Sequence, residues 1–251
     1  MSGTGEGVLR TSEVGTIFRN VPNQTMNRLF LGTVLLLSLA FVPASFAADA
    51  PAATAASPSL MRTLLGQAPG LRADVLKLAL NAAHNAAERG LVKRDDLLTV
   101  IDYSLPSSQP RLFVFNLAQH KLLFRELVAH GKNSGGDLAN FFSNDPGSLA
   151  TSIGLFVTAD PYFGGNGYSL RLRGLEQGIN DMAWSRAIVL HGASYVSQEA
   201  VKILGRLGRS WGCPAVRSEI ASKIIDTIRG GSPIFAYYPE KGWLAHSAFV
   251  K

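Results

Sequence analysis

A single cysteine, Cys213, in 251 residues excludes an intramolecular disulfide and any cysteine-rich zinc module. Charged residues are scarce as well, at 17% against 47% hydrophobic, the opposite of the composition that keeps a chain disordered. There is no heptad pattern, no Gly-X-Y repeat and no internal period of roughly 20 to 50 residues, so coiled coils, triple helices and solenoids are excluded. No two of the five histidines stand at i, i+2 or i, i+4, which removes the simplest metal-binding spacings. The net charge of +6 comes without a dense Lys/Arg block of the kind nucleic-acid binding uses, and suits a domain that meets an acidic partner. The 25 glycines and 12 prolines are scattered and predict many turns.

What is present begins with an apolar run. Met26 and Arg28 precede residues 29–42, a stretch of 14 whose only polar side chains are Thr33 and Ser38. Pro43 ends the run, and Ser45-Phe46-Ala47 supplies small residues where a signal peptidase cuts. This three-part pattern predicts a secretory signal peptide over 26–47, since the run is shorter than the roughly 20 residues of a bilayer span. Residues 1–25 are polar and sit in front of that pattern, so translation is expected to start at Met26, with 1–25 untranslated or non-structural. Cleavage after Ala47 leaves 204 residues carrying +5, an exported chain with no stable membrane insertion. Residues 48–58 (ADAPAATAASP) lack large side chains and read as a flexible tether.

Residues 59–103 read as a helical extension. Leu71, Val75, Leu78, Ala79, Ala82 and Ala86 recur at helical spacing before Gly90. Lys93-Arg94-Asp95-Asp96 is then expected to open a second helix, with Leu97, Leu98 and Ile101 on one side. From Arg111 the character changes. The runs 111–117 (RLFVFNL) and 121–128 (KLLFRELV) flank Ala118-Gln119-His120 as a hairpin, and a Gly/Ser/Asn-rich stretch follows over 130–152. Further strands are predicted at 153–158, 168–172, 186–190 and 232–238, with a helix over 216–230 through Ile220, Ile224, Ile225 and Ile228. Residues 104–251 therefore read as a mainly β (α+β) domain, a sandwich or barrel with helices laid against it.

A lone thiol in an oxidising compartment is a liability unless it is used. Cys213 lies in Gly208-Arg209-Ser210-Trp211-Gly212-Cys213-Pro214, a turn rather than a core strand, and Arg209 and Arg217 stand four residues to either side. Nearby cations lower a thiol's pKa, which points to a nucleophile. Such a nucleophile needs a base close in space. His191 ends the apolar run 187–190 and precedes Gly192, a placement that presents an imidazole at a sheet rim. His130-Gly131 also ends a strand and is a candidate for the same cleft. His84 falls on the predicted helix, His120 in a turn, and His246 near the C-terminus. Residues 208–212 also match G-x-S-x-G, with Asp226 and His246 following in order, but that elbow needs a strand before it and a helix directly after. Here 201–207 reads as helical and Pro214 delays the next helix. Gly164-Gly165-Asn166-Gly167 lies between two strands and reads as a hairpin loop, not a phosphate cradle.

From His191 to Cys213 is 22 positions, and the string HGASYVS…GRSWGCPAV resembles the active-site pattern of the YkuD-type L,D-transpeptidases. That pattern is a His-Gly, a spacer, then Ser-His-Gly-Cys; Trp211 replaces its second histidine. The fuller string is similar to a divergent branch, the murein L,D-transpeptidase catalytic domain proteins. Phe142-Ser143-Asn144, Pro146-Gly147-Ser148, Ser152-Ile153-Gly154 and Arg186-Ala187-Ile188-Val189 agree with it. The resemblance covers roughly 104–238. It implies a YkuD-like β domain with a helix after the catalytic loop, at work in the periplasm or cell wall on peptidoglycan stem peptides as donor and acceptor, with no cofactor. It implies Cys213 as nucleophile, His191 as general base and acid, and Gly192 as the source of a carbonyl that orients the imidazole. The N–H groups of Gly212 and Cys213 become the oxyanion hole. Ser210 matches the family serine and is implied to shape the loop; Ser210, Trp211, Arg209, Tyr195 and His130 are the candidates for substrate binding. The products implied are 3→3 cross-links, or 1→3 in a divergent branch, with L,D-carboxypeptidase action or an inactive wall-binding homologue as alternatives, and carbapenems as expected acylating agents. An NlpC/P60-type hydrolase would place Cys before His, and a sortase would need a threonine–cysteine strand motif that is missing.

Overall fold

A computed structural model describes residues 57–251 of the chain. The expected start site, signal peptide and tether fall outside the described residues, except for the tether's last two positions. Those two are not tether: Ser57 caps helix α1 (Pro58–Gln67) by accepting the Leu60 N–H, and Pro58 occupies the first turn, where its missing N–H costs nothing. Helix α2 (Ala73–Glu88) follows and buries Val75, Leu76, Ala79, Leu80, Ala82, Ala83 and Ala86.

The predicted second helix of the extension is instead strand β1 (Leu97–Asp102), buried at all six positions. A short continuous apolar run fits a doubly covered strand as well as a helix, and the β-branched Thr99, Val100 and Ile101 favour the strand. Strand β1 lies inside the sheet, so no boundary separates an extension ending at 103 from a β domain starting at 104. The predicted hairpin forms as β2 (Leu112–Asn116) and β3 (Lys121–Glu126), with His120 in the left-handed region at its turn. Strands β4 (Gly154–Gly164) and β5 (Gly167–Gly174) form a second hairpin across the Gly-rich loop. Then come β6 (Val189–Ala193), helix α3 (Gln198–Leu204), β7 (Ala215–Arg217), helix α4 (Ser218–Ile228), β8 (Pro233–Tyr237) and helix α5 (Lys241–His246).

The eight strands make one mixed sheet in the order β3-β2-β1-β8-β4-β5-β6-β7. Its two edges approach each other: Ala129, just past β3, bridges Ala215 in β7, and Arg217 pairs with Glu126 through two bonds of 2.9 and 2.8 Å. The sheet is thus nearly closed into a barrel, with five helices among the described residues. Alternate residues feed two cores. Leu98, Val100, Phe113, Phe115 and Phe235 pack with α1 and α2, while Ile101, Leu112, Val114, Leu170 and Leu190 pack with Ile224, Ile225 and Ile228 of α4. No helix among the described residues is long and apolar enough to cross a membrane.

Candidate functional site

The parallel pairing of β6 with β7 sets His191 opposite Ala215 and Gly192 opposite Val216, so the residues just before β7 lie beside the imidazole. The His191 N–H donates to the Pro214 carbonyl at 3.3 Å. Gly192 permits close seating of α4, because a Cβ there would lie 2.9 Å from the Ala221 methyl carbon. His191 is 4% exposed. Its Nδ1 is 3.0 Å from the Gly192 carbonyl oxygen, and a carbonyl only accepts, so Nδ1 carries the proton and Nε2 holds the lone pair. Nε2 has no hydrogen-bond partner among the described residues. Burial pushes the imidazole pKa down, with the Gly192 carbonyl pulling it the other way, and the net shift favours the neutral ring.

The loop 208–214 is fastened from beneath. Ser210 donates its N–H to the His130 carbonyl (3.0 Å) and accepts Lys132 N–H on its own carbonyl (2.8 Å). Its hydroxyl donates to the Cys213 carbonyl (2.6 Å) and accepts the Gly212 N–H (3.1 Å). Gly212 has φ +124°, and a Cβ there would sit 2.8 Å from the Ala150 oxygen, so only glycine fits. The Cys213 sulfur is gripped by a second turn: it accepts the Val189 N–H (3.5 Å) and lies 3.8 Å from the Ala187 carbonyl oxygen. Ala187 itself is held at φ +53°. The strand expected over 186–190 therefore begins only at Val189, and its first residues form this turn.

Cys213, His191, Ser210, Trp211, Arg209 and Tyr195 line one groove of about 400 Å³, together with Tyr162, Asn166 and Arg186. A larger cavity of about 630 Å³ lies by the C-terminal helix and includes His246, but none of the expected site residues. Trp211 is 76% exposed at the groove's rim. Burial pushes the Tyr195 hydroxyl up to about 12, with Cys213 adding to the effect. No group of three or more His, Cys, Asp or Glu able to hold a metal occurs among the described residues.

Four expectations are corrected here. Arg217 is paired with Glu126, and Arg209 is turned to the Lys132 and Gly135 carbonyls (3.2 and 2.7 Å); the guanidinium that lowers the thiol's pKa is neither of these. That cation is Arg186, which sequence reasoning missed as a site residue. It is clamped by the Ser143 and Ala150 carbonyls and the Ser148 and Ser152 hydroxyls, all uncharged, at 2.6–3.0 Å. Burial still holds the Cys213 thiol above its usual range, against the opposing pull of the Val189 N–H and Arg186. Second, the Gly212 N–H is engaged by Ser210 Oγ, while the Cys213 N–H has no acceptor among the described residues. Third, Ser210 is nearly buried with its hydroxyl committed within the loop, which fits its expected part in shaping the loop and not its expected part in binding substrate. Fourth, His130 is 1% exposed and lies under the loop, not in the groove. Its Nδ1 accepts from the buried Arg111 (2.7 Å), and burial and that guanidinium push its pKa down to about 4.

A half-buried thiol, a neutral imidazole with a free nitrogen and an unpaired backbone N–H in one groove can support acyl transfer. The family model of the L,D-transpeptidase catalytic domain matches residues 67–237, and the chain belongs to that family. No curated protein matches it. Among solved structures, an L,D-transpeptidase from Mycobacterium smegmatis is 15% identical with a TM-score of 0.36, covering 57% of this chain and 59% of that one. L,D-transpeptidase 1 from Mycobacterium tuberculosis is 16% identical (TM-score 0.34; 57% and 62%). The helical cell shape determining protein Pgp2 from Campylobacter jejuni is 13% identical (TM-score 0.38; 58% and 48%). The chain thus spans less than two thirds of the length of each.

Proposed function

We propose that the protein is a peptidoglycan L,D-transpeptidase that joins stem peptides through an acyl-enzyme on Cys213. The observation that carries this reading is that Cys213 shares a groove with a His191 whose tautomer is set by the Gly192 carbonyl. The groove is lined by arginines and no carboxylate, which suits an acidic peptide.

In this reading Cys213 Sγ attacks the carbonyl carbon of an L-residue followed by a D-residue, and His191 Nε2 takes the thiol proton. Burial holds the thiol up and the imidazole down, which favours His191 as a general base during attack over a standing ion pair. Arg186 supports the negative charge that grows on sulfur. The Cys213 N–H receives the developing oxyanion; the Gly212 N–H joins it only by leaving Ser210 Oγ. A donor of this kind is worth about 10²–10³ in rate. The imidazolium then gives its proton to the departing D-residue amine, the C–N bond breaks, and a thioester remains. An acceptor amine attacks the thioester, loses a proton to His191, and the sulfur leaves and is reprotonated. Trp211 and Arg209 at the rim contact the donor stem.

The same reading has residues 26–47 direct export and residues 48–56 act as tether, so that the domain works in the periplasm or cell wall. Carbapenem acylation of Cys213 belongs to it as well. The donor bond follows stem position 3, giving 3→3 links, or position 1, giving 1→3 links.

Residues 48–251, wild type and Cys213→Ala, incubated with purified disaccharide-tetrapeptide, test the proposal by tandem mass spectrometry of the products. Dimers formed only by the wild type support it, and their fragment masses identify the donor bond. Monomers shortened by one residue make the enzyme an L,D-carboxypeptidase. Absence of both product and adduct overturns the reading in favour of a wall-binding protein.

A further inference from the structure

The sheet face that carries His191 continues outward along β5. Ser169 stands between His191 and Tyr162 in register, and Arg171 stands beside Val189. Period-two alternation puts Tyr162, Ser169, Arg171 and Arg173 on that one face. The Arg171 guanidinium lies 4.8 Å from the Tyr162 ring centroid and 5.0 Å from that of Trp184, and the Arg173 guanidinium lies 5.5 Å from Trp184. The result is a ladder, Tyr162–Arg171–Trp184–Arg173, that leaves the groove at Tyr162. Trp184 is 44% exposed in it.

The ladder's cations are unspent. Arg72, Arg94, Arg217 and Arg229 each pair with a carboxylate. Arg171 and Arg173 have neither a carboxylate nor any hydrogen-bond acceptor among the described residues. Each guanidinium thus lies against aromatic rings while its N–H groups have no acceptor among the described residues. A guanidinium held by stacking is a preorganised fork for a carboxylate, because less side-chain freedom is lost when the two hydrogen bonds form.

We propose that this ladder is the subsite for the acceptor peptide, binding the free carboxylates of an acidic stem and bringing its amine to the groove from the His191 side. The inference rests on the transpeptidase reading, in which His191 takes the proton of the incoming amine. The ladder shares its sheet face with His191, whereas Trp211 and Arg209 flank Cys213 from the loop, where the donor is placed. Two substrates thereby reach one thioester from different directions.

The test uses residues 48–251 carrying Cys213→Ala and Trp211→Phe, so that turnover is removed and Trp184 reports alongside the buried Trp243. Three probes are titrated: disaccharide-tetrapeptide with free carboxylates, the same compound with its carboxylates amidated, and stem-free glycan. The free-acid form is expected to change the Trp184 emission, and amidation, or R171Q/R173Q, to weaken binding at least tenfold. Equal binding of the amidated compound or the bare glycan, or unchanged binding by R171Q/R173Q, overturns the proposal. In turnover with otherwise wild-type protein, R171Q/R173Q is expected to raise the acceptor KM at least tenfold while acyl-enzyme formation falls far less. Equal losses in both steps overturn the acceptor assignment. Failure of the wild type to form any acyl-enzyme sinks the transpeptidase reading instead, and the titration still decides whether the ladder takes carboxylates.

Discussion

His191 and His130 look alike in the sequence and do opposite things in the fold. Each leads into a glycine, each is buried, and each has its pKa pushed down by burial first, although His191 stands in the middle of β6 and not at the strand end expected for it, while His130 lies beyond the end of β3. Both also hold the Cys213 loop through their backbone, His130 by its carbonyl to Ser210 and His191 by its N–H to Pro214. The difference lies in the side-chain partner. The Gly192 carbonyl can only accept, so His191 keeps its lone pair on Nε2. The Arg111 guanidinium can only donate, so His130 spends its Nδ1 lone pair and keeps the proton on Nε2, a buried atom without a partner. Neighbours of opposite hydrogen-bond sense make one histidine a candidate base and the other a support.

The largest expected effect breaks that comparison at its functional end. His191→Gln should slow acylation of Cys213 by about 10²–10⁴-fold with little change in unfolding temperature. His130→Gln should do the reverse, lowering the unfolding temperature while acylation stays within about tenfold. Acylation rates and melting curves on both variants check the pair, and similar kinetic losses in the two would erase the distinction.

A second expected effect concerns pH and stability. His130 has a folded pKa of about 4, below its unfolded value of about 6.5. A depressed pKa contributes stability that is fully present above the unfolded value and is lost as pH falls through the folded one. Between about pH 6.5 and 4 the unfolded chain binds the extra proton, so up to roughly 3 kcal/mol is lost across that window. Denaturant titrations at several pH values should show this slope, and His130→Gln should flatten it.

Arg186 offers the next cut. Arg186→Met should push the Cys213 thiol pKa higher still and slow iodoacetamide alkylation at pH 8 by roughly tenfold, about one pKa unit. The two proteins should converge well above the thiol pKa, and Arg186→Lys should recover part of the loss. An unchanged alkylation profile would mean that Arg186 only braces the 143–152 segment.

The smallest effect compares the glycines after the two histidines. Gly131→Ala would bring a methyl to 2.5 Å from the Leu149 oxygen and 2.9 Å from the Gly212 Cα, both backbone. Gly192→Ala meets the Ala221 methyl carbon at 2.9 Å, on a helix better able to shift. Both should cost about 1–3 kcal/mol, with Gly131→Ala at the upper end, as measured by chemical unfolding.

The sequence made the local pieces legible where one short stretch carries its own signal. The 111–128 hairpin, the 153–158 and 168–172 strands, the α4 helix and the last strand all have clear period or turn residues, and the mainly β domain with helices against it followed from them. Strand β1 is not legible locally because Leu97 to Ile101 is almost continuously apolar on both faces, and only pairing with β2 and β8 decides between strand and helix. At the site, Cys213 and His191 could be picked out because each stands in a short, chemically unusual string. The thiol's cation could not. Arg209 and Arg217 are nearer in sequence, but the guanidinium that acts on the sulfur is that of Arg186, in the turn before β6, and this juxtaposition carries no local trace. The same holds for His130, whose strand-end setting says nothing of the buried Arg111 that claims its ring, and for Arg171 and Trp184, which stack only once β5 lies beside the 184–188 turn.

The proposed reaction turns on an acyl group carried by Cys213 and transferred with the help of His191. The most direct measurement is intact-protein mass spectrometry with peptide mapping of the wild type, His191→Gln and His130→Gln, sampled over time with disaccharide-tetrapeptide. A thioester mass on the Cys213 peptide is expected to appear rapidly in the wild type and in His130→Gln and far more slowly in His191→Gln. An adduct on another residue, or one that forms equally fast without His191, would contradict it.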